Sequence, residues 1–386
     1  MPPSCTTIRL RLTGKDTTDD RSYAIVVGSG LLASIGPAVA AAANRAVVVA
    51  DAAVAASHGT TVATALSAAG VAVDRISVAS GEGSKAVAGL ERLWNEMARL
   101  AVDRRTHVVA VGGGVVGDLA GFAAATFGRG LGVWHVPTTL VAQVDSAIGG
   151  KTGINLEGGK NLVGSFWQPR GVFADIATLA TLPDREFRSG LAEVVKYGMI
   201  LDPELFTWLE THAGAILARE PVALAHIVGR SAALKAEVVE QDERELGGLR
   251  AILNYGHTFA HAYETAGGYG RLLHGEAVAI GMADAALLAA NLGRIDDDVV
   301  ARQQRLLVAF GLPVAPPAIF APDDLLAIMA RDKKTVGGRL RFILPTRIGH
   351  VELVDGVDPA AVRAMLTRPD AGRSVVASPP DTPMEA

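Results

Sequence analysis

Val108-Val109-Ala110-Val111 runs directly into Gly112-Gly113-Gly114-Val115-Val116-Gly117-Asp118, and a helical pattern follows over 119–126. An apolar β-branched run, a glycine turn and a helix make a strand–turn–helix junction. Bare backbone N–H groups and the positive end of a helix dipole then meet at the turn, where a pyrophosphate can sit. The spacing departs from Gly-x-Gly-x-x-Gly with an acid about 20 residues later. The acidic candidate, Asp51, comes earlier, after the run 46–50. On these residues alone the turn serves either a dinucleotide or a purely structural junction.

Outward from that turn, strand-like runs at 23–27, 46–50, 75–78, 106–111 and 133–136 recur, with helical patterns between the earlier ones. Such alternation predicts a mostly parallel sheet flanked by helices. From about Asp184 the texture changes to long segments of period 3.6, over 186–200, 224–241 and 276–292. The expected organisation is an α/β N-terminal nucleotide-binding domain over 1–183 and an α-helical C-terminal domain over 184–367. A tail over 368–386, with Pro379-Pro380 and Pro383, is expected to be disordered.

Composition narrows the function classes. With 49% hydrophobic and 20% charged residues among 386, the chain can bury a sizeable core. A net charge of -4 offers no basic surplus for nucleic acid or an anionic membrane. Cys5 is the single cysteine, which excludes an internal disulfide and a cysteine-based zinc cluster. The uncharged stretch 22–44 is broken by Gly28-Ser29-Gly30 and Gly36-Pro37, and the N-terminus lacks a signal-peptide pattern, so a cytoplasmic protein is expected. Of 36 Lys+Arg only eight are lysine: Lys15, Lys85, Lys151, Lys160, Lys196, Lys235, Lys333 and Lys334. A chain so biased toward arginine keeps lysine where a guanidinium will not serve.

His257-Thr258-Phe259-Ala260-His261 places two imidazoles one turn apart on a helix face. His274 follows, and Glu193 lies upstream with Lys196 on its own face. Two or three histidines and a carboxylate suit zinc with one position open to substrate; a helix face with two satisfied histidines is the alternative. Lys151 and Lys160 flank a glycine-rich loop that could hold an oxyanion, or be solvated. Lys235 and the pair Lys333-Lys334, taken singly, read as solvated helix faces.

Together these motifs resemble the 3-dehydroquinate synthase family, over about 23–349. The densest blocks are 112–118, 137–153, 190–196, 253–261 and 274–278. The resemblance implies a nucleotide-binding domain, a helical metal-binding domain and a site in the cleft. It implies a carbon–oxygen lyase that converts 3-deoxy-D-arabino-heptulosonate 7-phosphate to 3-dehydroquinate and phosphate. NAD oxidises a substrate alcohol, phosphate is eliminated, the ketone is reduced again, and an aldol step closes the ring. By the same resemblance Glu193, His257 and His274 ligate the metal, zinc or cobalt, and His261 becomes a substrate-side or proton-relay residue. Asp145, Lys151, Lys196, Lys235, Asn254 and His261 match catalytic positions; Arg129, Lys160, Asn161, Arg250, Lys333 and Lys334 match substrate-binding ones. For NAD the matching positions are Asp51, Glu82, Lys85, Gly113, Gly114, Asp118, Thr138, Thr139, Lys151, Lys160, Thr181 and Leu182. One departure is Asp51-Ala52-Ala53-Val54, where the family often has Asp-x-Asn-Val beside the adenosine ribose. The implied partners are a phosphorylated sugar acid and a second copy of the chain, with neither nucleic acid nor membrane.

Overall fold

The computed structural model describes residues 5–12, 20–268, 271–316, 320–331 and 340–367. Two compact units emerge, one of residues 1–190 with 214–250, the other of 191–213 with 251–386.

The first unit is built on a seven-stranded sheet. Its strands are β1 (Cys5–Leu10), β2 (Tyr23–Gly28), β3 (Arg45–Asp51), β4 (Ala72–Val78), β5 (Thr106–Gly112), β6 (Val133–Pro137) and, after a separate hairpin of β7 (Lys151–Leu156) and β8 (Gly159–Phe166), β9 (Gly171–Asp175). The order is β1-β2-β9-β6-β5-β3-β4, parallel throughout except for β1. The helices are α1 (Ile35–Ala40), the single turn α2 (Ala52–Val54), α3 (Thr60–Ala68), α4 (Val87–Arg99) and α5 (Gly114–Thr126). Val47, Val49, Val108 and Ala110 pack on one face with Leu90, Leu93, Val116 and Leu119 of α4 and α5. Ala46, Val48, Val109 and Val111 pack on the other face with Ile35, Val39, Val62 and Leu66 of α1 and α3. With both faces covered, β3 and β5 read as continuous apolar runs without alternation.

α6 (Asp184–Ile200) and α7 (Pro203–Leu217) follow, and α8 (Pro221–Gln241) belongs to the first unit. The second unit holds α9 (His257–Ala266), α10 (His274–Asn291), α11 (Asp297–Ala309), α12 (Pro322–Arg331), a hairpin of β10 (Arg341–Arg347) and β11 (His350–Asp355), and α13 (Pro359–Leu366). α9 and α10 approach closely because a Cβ on Gly281 would lie 2.1 Å from the Gly256 carbonyl oxygen.

The units do not divide the chain linearly at 183/184. Ala223, Leu224, Ile227, Val228, Ala232 and Val239 of α8 need an apolar surface, and β1, β2 and the 142–146 turn supply it. The glycine-rich segment expected as a loop is the β7–β8 hairpin. Lys15, Lys333, Lys334 and the tail 368–386 lie outside the described residues. Among the described residues no helix is long and apolar enough to cross a membrane.

Candidate active site

In the second unit three side chains converge. α6 carries Glu193 and Lys196 one turn apart, both buried, and their carboxylate and ammonium form an ion pair. His257 is the first residue of α9, just after Gly256, whose φ of 78° turns the chain into the helix. His274 is the first residue of α10, a start fixed by the Leu273 N–H donating to Glu276 Oε2 at 2.8 Å. From Glu193 Oε1, the Nε2 atoms of His257 and His274 lie 3.7 and 3.4 Å away. One donor atom from each residue falls within 4.8 Å of the others. Donors about 2.0–2.2 Å from zinc stand about 3.3–3.6 Å apart in a tetrahedron, so the set fits one ion with a fourth position left for substrate.

The surroundings favour a cation. The His257 Nδ1–H donates to the Tyr255 carbonyl at 3.1 Å, which leaves the Nε2 lone pair facing the cluster. Partial burial works against a charge on His274, but the carboxylates of Glu193 and Glu264 outweigh it and raise its pKa to about 10. His261, the other member of the helical pair, stands edge-on to His257 with ring centroids 5.7 Å apart and lies outside the three-residue group.

In the first unit the glycine turn lies where the strand order reverses: β3 continues to β4 on one side, and β5 pairs with β3 on the other. That crevice at the carboxyl ends of the strands is where open α/β sheets bind nucleotides. Asp51, the last residue of β3, is so close that a Cβ on Gly112 would lie 3.1 Å from its Cβ. Gly113 precedes α5 with no side-chain cap, so the first N–H groups of the helix are available to an anion. A Cβ on Gly114 would come 2.9 Å from Ser146 Oγ, so only glycine fits there without displacement. These features suit a dinucleotide phosphate. Asp51 accepts from the Ala53 N–H at 2.9 Å and from the Ser80 hydroxyl, an anchor that the Asp51-Ala52-Ala53-Val54 variant retains.

Beside the turn, buried Lys85 reaches both Asp118 and Asn161, and Glu82 accepts from Asn155 Nδ2 at 2.7 Å. Burial raises the Asp118 pKa while Lys85 pulls it down. Lys235 is buried too, its Nζ 2.6 Å from Asp145 Oδ1, which replaces the solvated face expected of it. Arg250 is buried and donates to the Glu243 and Gly149 carbonyls at 2.6 and 3.2 Å. Lys151 opens β7, half-exposed, and pairs with Glu245; Lys160 lies on β8.

The remaining expected residues are more scattered. Thr138 is buried just past β6, its N–H donating to the Gly112 carbonyl at 3.0 Å, and Thr139 follows it. Thr181 Oγ1 lies 3.1 Å from His58 Nε2, with Leu182 next. Arg129 is exposed at φ 68° and makes no ion pair among the described residues. Asn254, a residue of the second unit, ends the short 3₁₀ turn Leu249–Asn254. Sequence reasoning missed Tyr255, Glu264, Ser80 and Asn155. Only Glu264 left a signal, being seven residues from His257 on the helix face that carries His261.

A parallel sheet with a glycine turn at its switch point, joined in one chain to a Glu/His/His cluster, defines a nucleotide-type metalloenzyme. Residues 75–189 match the 3-dehydroquinate synthase N-terminal family and residues 190–335 the 3-dehydroquinate synthase C-terminal family. The chain belongs to the 3-dehydroquinate synthase family. The 3-dehydroquinate synthase of Rhodopirellula baltica is 50% identical over 355 residues, covering 90% of this chain and 94% of that protein. Among solved structures, the 2-epi-5-epi-valiolone synthase of Streptomyces hygroscopicus subsp. jinggangensis, with NAD+ and Zn2+ bound, is 31% identical at a TM-score of 0.83, covering 92% of this chain and 98% of that one. A 2-deoxy-scyllo-inosose synthase complexed with carbaglucose-6-phosphate, NAD+ and Co2+ is 28% identical at the same TM-score of 0.83, covering 94% and 99%.

Proposed function

We infer that the chain is a 3-dehydroquinate synthase. It converts 3-deoxy-D-arabino-heptulosonate 7-phosphate to 3-dehydroquinate and phosphate in the shikimate pathway, using NAD and a divalent metal. The observation that carries the reading is the convergence of His257 and His274 on the buried carboxylate of Glu193, beside Lys196, in a chain of this family. When bound, the metal supplies Lewis acidity that lowers the pKa of the reacting hydroxyl. NAD, when bound, would supply reversible hydride chemistry without net consumption.

The protein's own groups do the rest. Gly113, Gly114 and the uncapped α5 terminus would take the pyrophosphate, with Asp51, Glu82, Lys85, Asp118, Thr138, Thr139, Thr181 and Leu182 around the rest of the nucleotide. Arg129, Lys151, Lys160, Asn161 and Arg250 supply the positive charge and donors that a substrate bearing both carboxylate and phosphate requires. Lys235 orients the Asp145 carboxylate, and Lys196 balances the charge of Glu193. His261 and Asn254 are assigned to the substrate side, His261 as a proton relay. Lys333 or Lys334 is assigned as a further basic group on the substrate side.

Phosphate release from the heptulosonate phosphate, measured with NAD before and after chelation, tests this reading. Turnover that needs both NAD and metal is expected; none in the metal-loaded protein, or turnover indifferent to both, rejects it. We also propose a cytoplasmic homodimer, and a monomer mass by light scattering would reject the dimer.

A further inference from the structure

We propose that Glu264 is a positioning residue for the metal centre, holding His274 with its Nε2 lone pair toward the ion. This rests on the metal site proposed above. α9 presents His257, His261 and Glu264 at positions i, i+4 and i+7, which share one helical face. Glu264 is buried, and its Oε1 lies 3.8 Å from His274 Nδ1. That nitrogen is the one turned away from Glu193, which faces Nε2 at 3.4 Å. The His274 ring is therefore bracketed, with one carboxylate at each nitrogen.

The two histidines of the cluster are held in different ways. At His257, Nδ1 has a neutral acceptor, the Tyr255 carbonyl at 3.1 Å. At His274, Nδ1 has a full negative charge. A carboxylate opposite the off-metal nitrogen keeps the proton there, fixes the ring orientation and strengthens the other nitrogen as a donor. His274 needs such a partner more than His257 does. It stands at the first position of α10 with 40% of its side chain exposed, against 11% for His257. Packing holds the ring of His257, whereas charge must hold the ring of His274. One helix thus supplies both a ligand and the group that orients the ligand arriving from the next helix.

The test is metal binding and the visible absorption of the Co2+-loaded full-length protein, read in Glu264→Ala and Glu264→Gln beside His274→Ala. Glu264→Ala is expected to weaken Co2+ and Zn2+ binding about 10–100-fold and to shift the Co2+ d–d bands. Glu264→Gln, which keeps an oxygen acceptor without the charge, is expected to lose less affinity and to keep bands closer to the parent. If Glu264→Ala does not fold, Glu264→Asp, whose shorter arm withdraws the carboxylate, should give the same shift in milder form. Parent-like affinity and bands in Glu264→Ala, or in Glu264→Asp where that variant stands in for it, would overturn the assignment. His274→Ala separates the two levels: retained Co2+ there would overturn the metal-site reading itself, whereas lost Co2+ with unaffected Glu264 variants would overturn only the role of Glu264.

Discussion

Glu193 and Lys196 show what burial asks of a single residue. A carboxylate and an ammonium removed from water persist only as partners, and neither tolerates a group of different shape. Lys196→Arg keeps the charge but forces a planar guanidinium into a closed space. We expect it to cost about 1–3 kcal/mol of stability and to lower turnover by about a hundredfold or more, the scale of losing one preorganised electrostatic group from an active site. Lys15→Arg should change neither, and denaturant melts with a phosphate-release assay check both. At His274→Ala we expect loss of bound metal, and at His261→Ala retention, measured by metal content after dialysis; equal loss would return the simple helical pair to favour. Residue types and spacing made the His257/His261 pair visible in the sequence but not the choice between its members. That choice depends on where α6 and α10 bring Glu193 and His274, which no local pattern encodes.

At the scale of elements, the β7–β8 hairpin and the turn before it matter most. Gly149 adopts φ 96°, accepts from Arg250 and donates its N–H to the Tyr23 hydroxyl at 2.9 Å. A Cβ there would lie 2.6 Å from Arg250 Nη2 and 2.9 Å from Val239 Cγ2. Gly149→Ala should therefore lose about 2–4 kcal/mol, combining left-handed strain with overpacking. Gly70→Ala makes the control, since Gly70 has φ 83° but nothing within 4 Å of its Cβ position. It should lose only about 1–2 kcal/mol, and a thermal melt of each gives the difference. The glycines of this segment suggested a loop because glycine weakens strands. Here they instead allow the two strands to lie close, a Cβ on Gly164 meeting the Thr152 carbonyl oxygen at 2.0 Å. β3 and β5 were easy to recognise because both faces of the sheet are buried, whereas β1, mostly exposed on an edge, carries almost no apolar signal.

For the molecule as a whole, buried imidazoles contribute to the response to acid. His135 on β6 lies beneath α5, its Nδ1 3.6 Å from the Cβ position of Gly117, and burial lowers its pKa to about 4. The unfolded chain takes up that proton near pH 6.5, so between 6.5 and 4 the unfolded state binds more protons and stability falls as pH falls. The loss from this one group reaches about 3 kcal/mol, and burial and Arg170 lower His107 in the same sense. His135→Phe should flatten the slope of unfolding free energy against pH over that window, as read by urea titrations at pH 7 and 4.5. An unchanged slope would count against a neutral buried imidazole. The division of the chain has a further effect, during synthesis. Because the sheet unit includes residues 214–250, it remains incomplete after residue 190 has left the ribosome, and β1 and β2 still lack α8. At about 5–20 residues per second, those sixty residues take about 3–12 s to add. For that interval the nascent sheet shows an apolar face to the cell, which makes this stretch of translation the moment at which a chaperone has most to cover.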